Sequence, residues 1–178
     1  MTASGSARFG QWSVLNPVYK LATNPCPCAP TKDADCTCSA TARRRYWGRL
    51  SGPLLDRVDL RVRLRPLSAL SAHLSELPEP SSAVRERVLE ARERAGKRWA
   101  EHGWPSNAEV PGPALRREFA LSPQVTALLD RALERGAITA RGADRCLRIA
   151  WTLADLKGAD RPEADEVAAA LNFRERSS

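Results

Sequence analysis

Four of the five cysteines fall in two C-x-C pairs, Cys26-Pro27-Cys28 and Cys36-Thr37-Cys38, separated by seven residues. The surrounding stretch, NPCPCAPTKDADCTCS, is rich in proline and aspartate and reads as a loop. In extended backbone, residues i and i+2 project to the same side, so each pair presents two sulfurs to one point. The spacer, with Pro30 and two aspartates, is long enough to fold one pair back onto the other. Four thiolates meeting tetrahedrally make a structural zinc site. The alternatives are two disulfides, which a reducing cytosol disfavours, and unliganded thiols. Cys146 is different: it lies on a helical face and reads as a small buried hydrophobe.

Around this loop the chain changes character once. Residues 1–17 are small and polar with one weak apolar patch, and 18–23 read as the end of a strand. Residues 42–50 are basic with helical potential, Ser51-Gly52-Pro53 breaks the chain, and Leu54-Leu55-Asp56-Arg57 forms a short helical turn. From 58 to 64 apolar Val58, Leu60, Val62 and Leu64 alternate with charged Asp59, Arg61 and Arg63, the period of a half-buried strand. Pro66, Pro78 and Pro80 punctuate a linker, after which everything is helical. Ser81 or Ser82 caps a helix to about His102, with Val84, Val88, Leu89, Ala91, Ala95 and Trp99 on one face. Ser122 as N-cap, with Pro123 at the first helical position, opens the next helix through Val125, Leu128, Leu129 and Leu133 to the Gly136 stop. Thr139 caps a third with Ala143, Leu147, Ala150, Trp151 and Ala154 on its apolar face, and a last one, about 163–172, buries Val167, Ala168 and Leu171.

With 178 residues the chain suits one ordinary domain or two small ones. A content of 43% hydrophobic and 28% charged residues excludes a collagen, a coiled-coil rod and a wholly disordered chain. No run approaches the roughly 20 apolar residues of a membrane span. The first ten residues also lack the apolar core of a signal peptide, so a cytoplasmic protein without a membrane partner is expected. The formal charge is +7, and of 28 cationic residues only Lys20, Lys32, Lys97 and Lys157 are lysines. Arginine's planar fork suits phosphate and carboxylate, but the codon bias of a high-GC genome produces the same excess. No nucleophile–base–orienter set is convincing. His73 and His102 are the only histidines, and Gly96-Lys97 lacks the rest of a G-x-x-x-x-G-K-[ST] phosphate loop.

The cysteine pairs and several segments after them carry a resemblance. Asn24-Pro25-Cys26-Pro27-Cys28, Cys36-Thr37-Cys38, Arg45-Tyr46 and the run from Ser51 through Leu54-Leu55-Asp56-Arg57-Val58-Asp59-Leu60 strongly resemble the magnesium-chelatase-like AAA+ ATPases, in the competence-related ComM/YifB branch. Residues 81–88, 140–156 and 168–174 resemble that family's C-terminal lid. The resemblance implies an α/β remnant of an AAA+ core, one or two strands plus short helices, followed by an all-α helical lid, so mostly α overall. It implies an unmatched tail at 1–21, the end of the core at 22–66 with the cysteine loop at 26–38, a linker at 67–80 and the lid at 81–174. The family's phosphate loop and acidic Walker B strand precede the NPCPC segment and have no counterpart in this chain. The chain therefore reads as the C-terminal part of such an ATPase, from a truncated or mis-started frame.

Residue by residue, Asn24 resembles sensor 1, which orients attacking water. Arg57 resembles the arginine finger, which reaches a neighbouring subunit's nucleotide. Arg141 resembles sensor 2, with Arg148 as second choice for a nucleotide contact. Cys26, Cys28, Cys36 and Cys38 are the expected zinc ligands. ATP and magnesium belong to the complete family protein, which would form a homo-oligomeric ring and engage DNA as a branch-migration helicase; this chain alone is expected to be inactive. The plain reading of Arg57 is a salt bridge to Asp56 or Asp59, and that of Arg141 is a solvated first-turn residue. A competing reading makes the chain a non-enzymatic, zinc-stabilised module that binds DNA or intact ring subunits. A pigment-synthesis magnesium-chelatase subunit is a third reading, which the double C-x-C disfavours.

Overall fold

The computed structural model describes residues 26–28, 35–50, 52–62 and 79–174. The expectations for the tail, for the strand end at 18–23, for Asn24, for His73 and for most of the linker lie outside these residues. The chain divides after Leu50 into two compact units. Among the described residues the first contains the cysteine loop and one helix, α1 (Ala40–Trp47). Ser39, next to Cys38, caps it by accepting from the Ala42 N–H at 3.2 Å. No residue of α1 is buried.

The second unit is helical. It comprises α2 (Gly52–Arg57), α3 (Ser81–Trp99), α4 (Gly112–Arg116), α5 (Pro123–Glu134), α6 (Ala140–Lys157) and α7 (Ala164–Asn172), with 3₁₀ turns at Ala100–His102 and Asn107–Glu109. The boundaries of α5 and α6 fall where expected, although the Ser122 side chain makes no capping hydrogen bond and Leu128 and Leu133 are exposed on α5. Pro123 occupies the first turn of α5 after Ser122, and Gly136 follows its end at φ 66°, a left-handed conformation that suits glycine. Thr139 caps α6 by accepting from the Gly142 N–H. At α7, Glu163 and Glu166 form a reciprocal capping box.

α6 is the central helix, and its whole expected face (Ala143, Leu147, Ala150, Trp151, Ala154) is buried. Around it gather Ala95 and Trp99 of α3, Leu129 and Ala132 of α5, and Val167, Ala170 and Leu171 of α7. Trp99 is fully buried, with Phe119, Trp104 and Trp151 against it at centroid separations of 4.7, 5.8 and 5.4 Å. Removing that indole from water contributes several kcal/mol, at about 25 cal/mol per Å² over roughly 150–250 Å². Its Nε1–H donates to Asn107 Oδ1 at 2.7 Å, so the polar end is satisfied as well.

Other expectations also differ from what is found. The first helical residue of α3 is Ser81, and the cap position is taken by Pro80, so neither serine caps. Val84 and Leu89 are exposed on α3. Val84 continues the stripe of Val88, Ala91 and Ala95 toward the start of the helix, but the buried part of that stripe begins only at Ala91. Leu89 sits about 120° off that stripe at 100° per residue. Finally, residues 58–62 form no strand, and Leu60 and Val62 are exposed at 50% and 64%. Alternation buries one face only when a neighbouring strand builds a sheet, and no described residue is in a strand; the segment's backbone tie is Arg61 N–H to Phe173 O at 2.9 Å. No helix among the described residues is long and apolar enough to cross a membrane.

Candidate metal centre and arginine cleft

In the first unit the two C-x-C pairs do fold back on each other. The Sγ atoms of Cys26, Cys28, Cys36 and Cys38 all lie within 4.8 Å of one another. Individual separations are 3.3 Å for Cys26–Cys28, 3.4 Å for Cys36–Cys26 and 3.8 Å for Cys28–Cys36. Four sulfurs about 2.3 Å from a central ion stand about 3.8 Å apart along the edges of a tetrahedron. The cluster has that size, and it could hold a metal ion. The thiols are unbridged, and Cys26 is buried while Cys28 is exposed. Cys146, as read from the sequence, is buried in the other unit, where burial pushes its thiol up to about 11.

In the second unit, an open cleft of about 780 Å³ lies between α2 and the start of α6. Four arginines line it: Arg57, Arg61, Arg141 and Arg174. Arg57 is exposed and donates Nη1–H to Pro53 O at 2.9 Å, within its own helix. It does not pair with its neighbouring aspartates. Asp59 is bound by Arg145 at 2.7 Å, while Asp56 accepts from Arg174 at 3.3 Å and from Thr139 at 3.2 Å. Arg57 lines the cleft together with Asp56 but makes no ion pair with a described residue. Arg141 is exposed in the first turn of α6 and has no ion pair or hydrogen bond to another described side chain. Its charge stands at the positive end of the helix, a placement that disfavours a cation unless an anion is near.

Arg148 is not part of this cleft. It is half-buried further along α6, donates Nε–H to Val110 O at 2.9 Å, and burial lowers its pKa. Sequence reasoning also missed Arg61, Arg145 and Arg174, because they bind backbone carbonyls, which carry no residue signature, and because Asp59 and Asp56, the carboxylates that Arg145 and Arg174 also bind, lie 86 and 118 positions away.

Residues 78–174 match the C-terminal part of the magnesium chelatase ChlI subunit, and residues 16–72 match the ChlI subunit itself. The chain belongs to the magnesium-chelatase family. An uncharacterized protein of Mycobacterium tuberculosis is 56% identical over 155 residues, covering 87% of this chain and 31% of that protein. Competence protein ComM of Haemophilus influenzae is 33% identical over 159 residues, 86% of this chain and 30% of its own length. Protein YifB of Escherichia coli is 33% identical over 156 residues, with 86% and 30% covered. The chain is thus a ComM/YifB-like C-terminal region of the magnesium-chelatase family. It spans about a third of the length of these relatives.

Proposed function

We propose that this chain supplies the arginine-bearing C-terminal part of a ring ATPase. Arg57 acts as a finger on a nucleotide held by a neighbouring subunit, and Arg141 acts as sensor 2 on the same nucleotide. The observation that carries this reading is that Arg57 and Arg141 line one cleft while Asp56 and Asp59 are occupied by other groups. Two guanidinium groups on one open cleft favour an anionic guest with several oxygens, and phosphoryl transfer gains most from such groups as charge develops. Asn24 is assigned to water orientation as sensor 1, and Arg148 to holding α6 against Val110. The cysteine cluster is assigned a structural zinc, which fits an all-thiolate donor set. The complete protein is assigned a DNA-directed helicase role on its likeness to ComM, a competence protein.

The experiment joins this segment to the phosphate-loop half of a ComM-like relative. Arg57→Ala should lower turnover by roughly 10³–10⁵, the range measured for arginine fingers, with ATP affinity and ring assembly retained. Mixing that variant with a subunit dead in its own phosphate loop should restore part of the activity. Mixed rings that form yet stay inactive would refute the action in trans.

A further inference from the structure

Four consecutive carbonyls at the end of α2 are each bound by a guanidinium. Arg61 Nη2–H donates to Leu55 O at 2.7 Å, Arg174 Nη2–H to Asp56 O at 3.2 Å and Arg174 Nη1–H to Val58 O at 2.9 Å. Arg145 Nη1–H donates to the fourth, Arg57 O. Carbonyls at a helix end have no intrahelical partners, and water ordinarily serves them. Here they are served by the side chains of Arg61, just beyond α2, Arg145 of α6 and Arg174, just beyond α7. Arg61 in turn donates to Arg174 O at 3.3 Å, so the two arginines interlock.

The burial argues that this is more than a cap. The Arg174 side chain is 4% exposed and that of Arg145 is 17% exposed. A buried guanidinium is a poor way to gain stability, since well-packed apolar residues often do as well or better. What it adds is direction: a planar fork fixes two acceptors at once, here the Asp56 and Val58 backbones on either side of Arg57. Residues 52–62 group with the helical unit rather than with the residues before them.

We infer that Arg174, assisted by Arg145, is a positioning residue for Arg57, and that the segment carrying Arg57 moves as one body with α6 and α7. This rests on the reading of Arg57 as a finger. Rotation of the helical unit would then advance or withdraw the Arg57 guanidinium directly, so that the state of the lid in one subunit is felt at the nucleotide of the next.

The test has two arms. In this chain, hydrogen exchange is followed by mass spectrometry in wild type, Arg174→Lys and Arg145→Met. Lysine keeps the charge but cannot hold both acceptors. Peptides covering 52–62 should exchange about tenfold faster or more in Arg174→Lys, as expected for losing a charge-assisted hydrogen bond, with α5 and α6 unchanged. Arg145→Met should give the same local pattern, which keeps the test open if Arg174→Lys fails to fold. Unchanged exchange in 52–62, or an equal rise across α5 and α6, overturns the clamp. In the joined ring, Arg174→Lys should lower kcat about tenfold with KM for ATP and assembly unchanged. Local loosening without a fall in kcat would overturn the positioning role, whereas a harmless Arg57→Ala in the same ring would overturn the finger reading, so the two failures are distinguishable.

Discussion

Asp155 and Arg98 form a two-pronged ion pair inside the helical unit, with Arg98 nitrogens 3.1 and 2.5 Å from the two carboxylate oxygens. Asp155 is fully buried and accepts a third hydrogen bond from Asn107 Nδ2–H at 2.8 Å. Asn107 in turn accepts from Trp99, and the Arg98 guanidinium lies 4.6 Å from the centre of the Trp151 ring. One carboxylate therefore connects α3, α6 and the turn between α3 and α4.

Removing one member of such a set strands the others. Asp155→Ala should destabilise the helical unit by about 3–5 kcal/mol, because Arg98 keeps its charge in a largely closed site. Urea unfolding followed by tryptophan emission measures it. A loss below about 1 kcal/mol would mean that the pair is solvated in solution.

The cysteines give a countable prediction. Zinc-loaded protein should contain about one ion per chain, with no thiol reactive in the native state. A chelator should expose four thiols, and denaturation a fifth, Cys146, whose burial and raised pKa protect it. Four reactive thiols in chelator-free protein with no bound metal would remove the metal centre.

Arg57 and Arg141 share a cleft, so their effects should not be independent. In the joined ring the double variant Arg57→Ala/Arg141→Ala should lose much less than the product of the two single losses, as for residues that act as a unit. Strict additivity in free energy would separate them onto different nucleotides. The chain by itself should show no ATPase activity, since its sequence has no phosphate loop. Turnover that co-purifies with it and vanishes in Arg57→Ala would contradict this.

Glu166 makes stability depend on acid. Its carboxyl lies below the ordinary carboxylate range, chiefly through the Lys157 ammonium; burial opposes this, and the Glu163 N–H adds to it. A carboxyl lowered in the folded state contributes stability above its unfolded value, about 4.3, and loses it as pH falls through the folded value. The stability difference between wild type and Glu166→Gln should thus be widest above about pH 5 and narrow toward pH 3. Unfolding free energies across that range check it, and a gap independent of pH would rule it out.

Much of the helical unit could be read locally. Ser122-Pro123, Gly136 and Thr139 act through their own backbone and immediate neighbours, and the α6 face follows from helical period alone. The cysteine cluster was legible for the same reason, since spacing within one loop decides whether sulfurs meet. The Asp155 set joins residues 48 and 57 positions apart, and Arg174 reaches back 116 and 118, so no local pattern announces either. The period-two run at 58–64 promised a strand, but a strand is a property of two paired segments, and the described part, 58–62, pairs with no strand among the described residues.

The adjacency of Cys38 and Ser39 has its own consequence. An eight-residue helix with only Ala42 and Tyr46 half-buried is too short to be stable on its own in water, because nucleation outweighs so short a propagation. The shape of α1 must then be imposed at its first turn, where Ser39 is tethered to the sulfur cluster by a single peptide bond. The directions in which Arg43, Arg44 and Arg45 project, spread over about 200° around the helix, are then conditional as well. Oxidants or chelators that undo the thiol cluster would scatter those three charges without touching one of them.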